Sequence, residues 1–172
     1  MGLLSSLLDR LLPSYPRADS IAAAQDGRVE LAGTVELLED DEPLQCPLTG
    51  APAVAIFYRG RAPGLAAHAY GGQGDALDLS ISGRESRDFI LRDATGSAIV
   101  RVRARGGDVA RLHERLVEQH GLSLRSESEL LGPGERVTVR GEVVERDGVG
   151  GPHRRGPHLL TIAADAVTRA SD

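Results

Sequence analysis

The period of the apolar residues differs between the N-terminus and the rest of the chain. Residues 2–12 (GLLSSLLDRLL) carry leucines at i, i+3 and i+4, which predicts a short amphipathic helix that ends at the first proline. The apolar side of this helix includes Leu4, Leu8 and Leu11. We expect these leucines to pack on the domain itself, to engage a protein partner or to lie on a membrane surface, and residues 13–27 to form a linker.

From residue 28 onward, apolar and polar side chains alternate instead. This period of two is typical of β-strands that bury one face. Separate strands are predicted at residues 28–37, 53–59, 77–82, 136–145 and 158–164. In the first of them Val29, Leu31, Gly33, Val35 and Leu37 face inward, and in the fourth Val137, Val139, Gly141 and Val143 do so.

A β-hairpin is predicted within residues 88–105 (DFILRDATGSAIVRVRAR). Its turn is Asp93-Ala94-Thr95-Gly96, and Asp at the first position with Gly at the fourth is the preference of a type I turn. We therefore give Asp93 and Gly96 a structural role at the turn. The inserted Ala94 separates this segment from the Asp-Thr-Gly of aspartic proteases.

One main helix is predicted over VARLHERLVEQH, between an N-cap at Asp108 and a stop at Gly121. The residues that turn to the core from this helix are expected to be Val109, Leu112, Leu116 and Val117. Ser126 and Glu129 then have the spacing of a capping box, which predicts a short helical turn that continues to Leu131.

Together these elements predict a mainly β fold with one main helix, a small OB-like antiparallel β-barrel or sandwich. We expect it to occupy residues 28–165 and to be followed by a tail at 166–172. The length suits a single domain, and a hydrophobic content of 41% supports a real core. Because only 3% of the residues are aromatic, that core must be aliphatic.

Composition removes several classes of function. All 20 basic residues other than histidine are arginine, so no lysine is available for a Schiff base or a phosphate-binding P-loop. The net charge of −5 argues against a nucleic-acid partner, and the single cysteine excludes disulfides and multi-cysteine zinc modules. No apolar run is long enough to span a bilayer and no secretory signal is evident, which predicts a cytoplasmic protein, with membrane association as the alternative.

Candidate catalytic and metal-binding residues are sparse. Cys46 follows four acidic residues, whose charge would raise the pKa of its thiol and suppress its reactivity. His153 and His158 flank two arginines without further metal ligands, and His113 is expected on the surface of the helix. We therefore expect no catalytic residue, metal or cofactor, and keep a hydrolase that uses Cys46 or the two loop histidines as an alternative.

Two further surfaces are candidates for binding. The first is the Pro- and Gly-rich loop 43–52, where Pro47, Leu48 and Thr49 form the centre. The second is an outward stripe on the second strand of the hairpin, which could contact an acidic partner or be a solvated charged face, and consists of Arg101, Arg103 and Arg105.

Three segments, in order, carry a family resemblance. The first runs from strand 28–37 to PLTGAP and the following VAIFYR at residues 47–59, and is similar to S-P-L-T-G-x-P-C-V-Y-Y-R. FILRDATGSA at 89–98 is similar to F-x-L-x-D-x-T-G-x-A, and SELLGPGERVTVRG at 128–141 to E-x-x-L-x-P-G-D-x-V-x-V-x-G. The chain thus resembles the non-RING ("beside a MULAN") domain of the GIDE/MULAN family of membrane-anchored ubiquitin ligases.

The resemblance implies a barrel with a recognition role. It does not imply ubiquitin transfer, because that activity belongs to the family's cysteine-rich RING and this chain has one cysteine. Pro52-Ala53 also replaces the family's Pro-Cys, and the apolar spans of the family's membrane helices have no counterpart here. We expect a non-catalytic protein-interaction or scaffold module, with a peripheral membrane adaptor, an uncharacterised hydrolase or an OB-type ligand binder as alternatives.

Overall fold

The structure is a computed structural model that describes residues 14–39, 42–62, 79–146 and 158–170. The strands in these ranges are β1 (Gly27–Glu36), β2 (Leu44–Gln45), β3 (Pro52–Ala53), β4 (Ala55–Ala62), β5 (Leu79–Ser86), β6 (Phe89–Asp93), β7 (Gly96–Val102), β8 (Arg125–Leu131), β9 (Arg136–Arg146) and β10 (Leu160–Arg169). Helix α1 spans Val109–His120, and a turn of 3-10 helix follows at Gly121–Ser123. The predicted N-terminal helix lies outside the described residues.

The chain divides into two compact units, and it passes between them four times. The first unit draws on Met1–Val35, Ile90–Arg103 and Arg136–Asp172, and the second on Glu36–Phe89 and Ala104–Glu135. The domain boundaries proposed from the sequence, with one domain at 28–165, stay a prediction.

The first unit contains a closed five-stranded barrel in the order β1-β6-β7-β10-β9. Strand β9 pairs antiparallel with both β1 and β10, whereas β10 pairs in parallel with β7. The prediction of a mainly β fold that includes a small barrel is confirmed. The parallel pair is an exception to the antiparallel pattern expected from the sequence.

The core of the barrel follows the alternation that the sequence predicts. The inward residues of β1 and β9 are buried, and they are Val29, Leu31, Gly33, Val35, Val137, Val139, Gly141 and Val143. The two glycines are required by space: a Cβ on Gly33 would lie 2.7 Å from the carbonyl oxygen of Arg92, and one on Gly141 would collide with the carbonyl oxygen of Ala163. The barrel strands therefore approach each other more closely at these positions than a side chain would allow.

The predicted hairpin is formed by β6 and β7, and its turn is fixed by a carboxylate. Asp93 accepts hydrogen bonds from the backbone of Thr95 (2.7 Å) and Gly96 (3.0 Å), and from the backbone of Ile21 (2.6 Å). Burial raises the pKa of Asp93, but these bonds and one from the Thr95 hydroxyl outweigh it and leave the pKa below its usual value. The turn carboxylate thus also ties residues 20–23 to the hairpin.

The second unit places α1 against a three-stranded sheet in the order β5-β4-β8, beside the small β2-β3 sheet. Helix α1 begins and ends as predicted. Asp108 caps its start by accepting a hydrogen bond from the backbone of Arg111, and Gly121 ends the helix with a φ of 52°. Two strand glycines face the helix. A Cβ on Gly83 would lie 2.6 Å from Leu112, and one on Gly60 would lie 2.8 Å from Leu116.

Two predictions for this unit are wrong. Val117 is 44% exposed, because it lies on the side of α1 away from the buried Val109 and Leu116. The segment expected to form a capped turn is strand β8, whose Ser126, Ser128 and Leu130 face inward. Serine at inward positions hides the alternation of apolar and polar residues, and that is why the pattern suggested a capping box.

Several strand ends also differ from the predicted ones. The second predicted strand is β4, shifted to Ala55–Ala62, and the third is β5, shifted to Leu79–Ser86. The last strand continues to Arg169, through part of the predicted tail, because its outer half still pairs with β9. None of the helical segments in the described ranges combines the length and apolar character that a bilayer crossing requires.

Candidate functional site

The structure distributes the site residues predicted from the sequence over separate places. Pro47, Leu48 and Thr49 belong to the second unit, and Arg101 and Arg103 to the barrel unit. The predicted leucine stripe of Leu4, Leu8 and Leu11 lies outside the residues that the structure describes.

Loop 43–52 contains β2, the first residue of β3 and the hydrogen-bonded turn that joins these two short strands. The backbone N–H of Cys46 donates to Ala51 (3.0 Å), and that of Gly50 donates to Cys46 (2.8 Å), with Gly50 at a φ of 69°. The hydroxyl of Thr49 accepts from the backbone of Ala51 (3.3 Å). Leu48, at the tip, is 37% exposed, so the loop holds an apolar side chain outward on a fixed backbone.

Cys46 is the inner anchor of this loop and is only 2% exposed. Its sulfur lies 3.3 Å from the hydroxyl oxygen of Ser128 on β8. Burial raises the pKa of the Cys46 thiol, but hydrogen bonds from Ser128, Thr49 and the backbone of Leu48 outweigh it and leave the pKa below its usual value. The sequence had suggested a raised pKa from the neighbouring acids, whereas the thiol is surrounded by hydrogen-bond donors and shielded from solvent.

A second polar group is buried in the same unit, around Tyr58 on β4. Its hydroxyl lies 2.9 Å from Nδ1 of His113 on α1 and 2.8 Å from the hydroxyl of Ser126 on β8. The imidazole meets the Tyr58 ring edge to face, with 5.5 Å between ring centroids. His113 is therefore half-buried and bonded to the sheet, and its expected position on the helix surface was wrong.

The second unit also has a cleft of about 290 Å³ at the start of α1, and its walls are Glu85, Ser86, Arg87, Asp88, Arg105, Gly106, Gly107 and Asp108. Four of the five charged side chains of this cleft, those of Glu85, Asp88, Arg105 and Asp108, make hydrogen bonds or ion pairs within the unit. Glu85 accepts from the backbone of Val109 (3.0 Å), and Arg105 pairs with Asp88 (2.7 Å). Arg105, predicted as the third member of a stripe, thus lies in this loop beyond the end of β7 at Val102.

On the barrel unit, the other two members of the predicted stripe are exposed. The guanidinium of Arg103 lies 3.1 Å from Asp165 on β10 and 3.5 Å from Glu142 on β9. Its charge is therefore balanced within the barrel unit itself, which favours a solvated structural face over a site for an acidic partner.

Of the two loop histidines proposed for the alternative hydrolase, only His158 is described by the structure, since His153 lies outside the described ranges. Nδ1 of His158 lies 3.0 Å from the hydroxyl oxygen of Ser97, which is fully buried. The next residue, Leu159, donates its backbone N–H to the carbonyl of Ser97 (2.8 Å). These contacts fasten the chain to the β6–β7 hairpin.

No group of histidine, cysteine and acidic side chains suited to a metal ion occurs within residues 14–39, 42–62, 79–146 and 158–170.

One surface was not found from the sequence. We call it the arginine face: it is the outward side of the β5-β4-β8 sheet and carries Phe57, Arg59, Arg61, Arg84 and Arg125. Phe57 is 39% exposed, and the guanidinium of Arg59 lies over its ring at 5.7 Å. The arginines come from three separate segments, so only the pairing of the strands reveals that they share a face.

A scan against models of protein families finds none that matches this chain, and a search of curated proteins finds no match either. The resemblance to the GIDE/MULAN domain therefore stays a prediction.

Proposed function

We propose that this chain is a protein-interaction module and that the tip of loop 43–52 is one of its contact elements. The observation that carries the proposal is the exposure of Leu48 on a loop whose two sides are fixed by hydrogen bonds. Loops that are positioned by a rigid scaffold are frequent sites of recognition. A loop that is already ordered also loses little conformational entropy when it binds.

The residues around Leu48 support this role. Pro47 restricts the backbone before the tip, and the Thr49 hydroxyl stabilises the return of the chain. Beneath the tip, the sulfur of Cys46 is hydrogen-bonded to the hydroxyl of Ser128, which holds this end of the loop in place. In this proposal Cys46 positions the loop, and the apolar side chain of Leu48 makes the contact.

The resemblance to the GIDE/MULAN accessory domain supports the same assignment, because loop 43–52 lies in its first block. We also infer an OB-type barrel for the first unit, since its third and fifth strands, β7 and β10, pair in parallel within a closed five-stranded barrel. This proposal gives the residues of this chain a recognition role and assigns them no part in ubiquitin transfer.

The test compares Leu48→Asp with Leu122→Asp, because Leu122 is a fully exposed leucine of the same unit. Each full-length variant is immobilised and used to capture proteins from the source cell, and the captured proteins are identified by mass spectrometry. We expect a protein that binds the wild type and Leu122→Asp to be lost from Leu48→Asp. Equal capture by both variants would contradict the role of the loop.

A peripheral membrane adaptor is the second candidate, and the spacing of the leucines in residues 2–12 favours it. Liposome flotation of the full chain is compared with the variant in which Leu4, Leu8 and Leu11 are all replaced by Gln. Flotation of the wild type alone would support membrane attachment. Equal flotation, or none from either protein, would remove the idea.

A further inference from the structure

The arginine face brings together positive charge from three strands. The register places Arg84 of β5 directly opposite Phe57, and Arg125 of β8 directly opposite Arg61. Arg59 lies opposite Glu127. Directly opposed residues in a sheet have their Cβ atoms only about 5 Å apart, so these side chains form one continuous surface.

Positive charge on this surface exceeds negative charge. The surface carries four arginines and two carboxylates, those of Glu127 and Glu129. Its net charge is therefore +2, whereas the net charge of the whole chain is −5. The carboxylate of Glu127 lies 3.0 Å from Arg59 and 3.7 Å from Arg61, so two guanidinium groups share one carboxylate. Among the described residues, Arg84 and Arg125 have no ion pair.

The opposed pair Arg61 and Arg125 is unfavourable for the sheet by itself, because like charges directly across two strands repel each other. Phe57 adds an apolar ring that the fold leaves partly in solvent. Aromatic residues and arginine are the residue types enriched where proteins bind other proteins. Both features of the arginine face would gain from a partner that supplies carboxylates and covers the ring.

We propose that the arginine face binds an acidic segment of a partner protein. Carboxylates of that segment pair with Arg84 and Arg125, and an apolar side chain between them covers Phe57. The charge excess of the face and the unpaired guanidiniums define the occupant as anionic, and Phe57 requires it to have an apolar element. This surface is separate from Leu48, so it extends the proposed function without depending on loop 43–52.

An acidic protein segment fits this face better than a nucleic acid does. Glu127 and Glu129 interrupt the positive surface, and they would repel a backbone that carries a phosphate at every nucleotide. Single-stranded nucleic acids also need successive aromatic platforms for their bases, whereas this face has one, Phe57. Carboxylates in a protein segment can be spaced to avoid the two glutamates.

The experiment measures fluorescence anisotropy of a labelled peptide that alternates glutamate and alanine around one central phenylalanine. The same peptide with glutamine in place of glutamate tests the need for charge, and an oligothymidylate of equal net charge tests nucleic acid. The full-length wild type is compared with Arg84→Gln/Arg125→Gln. The control is Arg111→Gln/Arg115→Gln, which removes the same charge from exposed positions of α1. Circular dichroism verifies that all three proteins are folded.

We expect the wild type to bind the acidic peptide saturably and the glutamine peptide more weakly. Arg84→Gln/Arg125→Gln should bind the acidic peptide with an affinity about tenfold lower, which corresponds to about 1.4 kcal/mol. The helix variant should bind as the wild type does. The proposal is overturned by folded wild type that does not bind the acidic peptide, by equal losses in the two variants, or by oligothymidylate that binds as tightly and loses affinity in the same variant.

Discussion

The two units of this protein differ in what they bury. In the barrel unit, the inward positions of the strands are filled by aliphatic side chains and glycine. Its buried polar residues, Ser97 and Thr161, lie on the opposite side of their strands from Ala98 and Ile162. In the second unit, the inward side of the sheet includes a tyrosine and two serines that are hydrogen-bonded to one another, to a histidine or to a cysteine.

The outer surfaces differ in the same way. On the barrel, Arg103 is balanced by two acidic residues, Asp165 of β10 and Glu142 of β9. On the second unit, the arginines of one sheet face outnumber the acidic residues beside them. The same residue type is therefore balanced by carboxylates in one unit and in excess over them in the other, because the pairing of the strands decides which charges lie side by side.

The largest expected effect tests the close packing of the barrel. Gly141→Ala places a methyl group against the backbone of Ala163, which cannot move without disturbing β10, so we expect a loss of about 3 kcal/mol in the free energy of unfolding. Gly107→Ala is the matched control, since nothing lies near its added Cβ, and it should change stability by less than about 0.5 kcal/mol. Urea denaturation measures both, and similar midpoints would contradict the tight packing at residue 141.

The next prediction tests the polar interior of the second unit. Tyr58→Phe removes the buried hydroxyl to which the half-buried His113 and Ser126 are hydrogen-bonded, which should cost about 2 kcal/mol of unfolding free energy. Tyr15→Phe removes an exposed bond to Asp165 on the barrel unit and should cost less than about 0.5 kcal/mol. Urea denaturation measures both variants, and equal losses of unfolding free energy in Tyr58→Phe and Tyr15→Phe would contradict the importance of the polar interior of the second unit.

A third prediction concerns the hairpin turn of the barrel and its dependence on pH. The folded pKa of Asp93 is lowered, so its carboxylate stabilises the fold above the unfolded pKa, about 3.9, and this contribution is lost as the pH falls through the folded pKa. Asp93→Asn should lose about 1 kcal/mol at neutral pH and lose less relative to wild type in acid. Urea denaturation at both pH values measures this difference. A constant difference across pH, or the same loss in the exposed control Asp19→Asn, would exclude the charge of Asp93 as the cause.

The smallest expected effect on stability distinguishes a contact residue from a core residue. Leu48→Asp should change the free energy of unfolding by less than about 0.5 kcal/mol, because the Leu48 side chain is partly in solvent at a loop tip. Leu44→Ala, at the buried position of β2 in the same loop, should lose about 2 kcal/mol or more. Comparable losses in a thermal or urea melt would place Leu48 in the core and remove it as a binding residue.

Features encoded by neighbouring residues were predictable. The helix at Val109–His120 was found from its Asp108 cap and Gly121 stop, and the β6–β7 hairpin from its Asp and Gly. The alternation of β1 and β9 gave the inward side of the barrel. Each signal acts within one turn or one strand, so no knowledge of distant contacts was needed.

Features that depend on distant partners were missed. Ser126 and Glu129 have the spacing of a capping box, and only the contacts of Ser126 with Tyr58 and of Ser128 with Cys46 show that this segment is a strand with an inward side. His113 was expected in solvent because its partner lies 55 positions earlier in the chain. The arginine face was missed for the same reason, since its residues come from β4, β5 and β8.

The sequence by itself determined the periods, the caps and the turns of this protein, because these depend on backbone geometry and side chains within a few residues. The tertiary structure alone decided that β7 pairs in parallel with β10 and that Cys46 is held among hydrogen-bond donors. It also decided that Arg103 is paired with carboxylates, whereas Arg84 has no ion pair with any residue that the structure describes. Burial and ion pairing are properties of neighbours in space. Where those neighbours are far apart in the chain, only the fold brings them together.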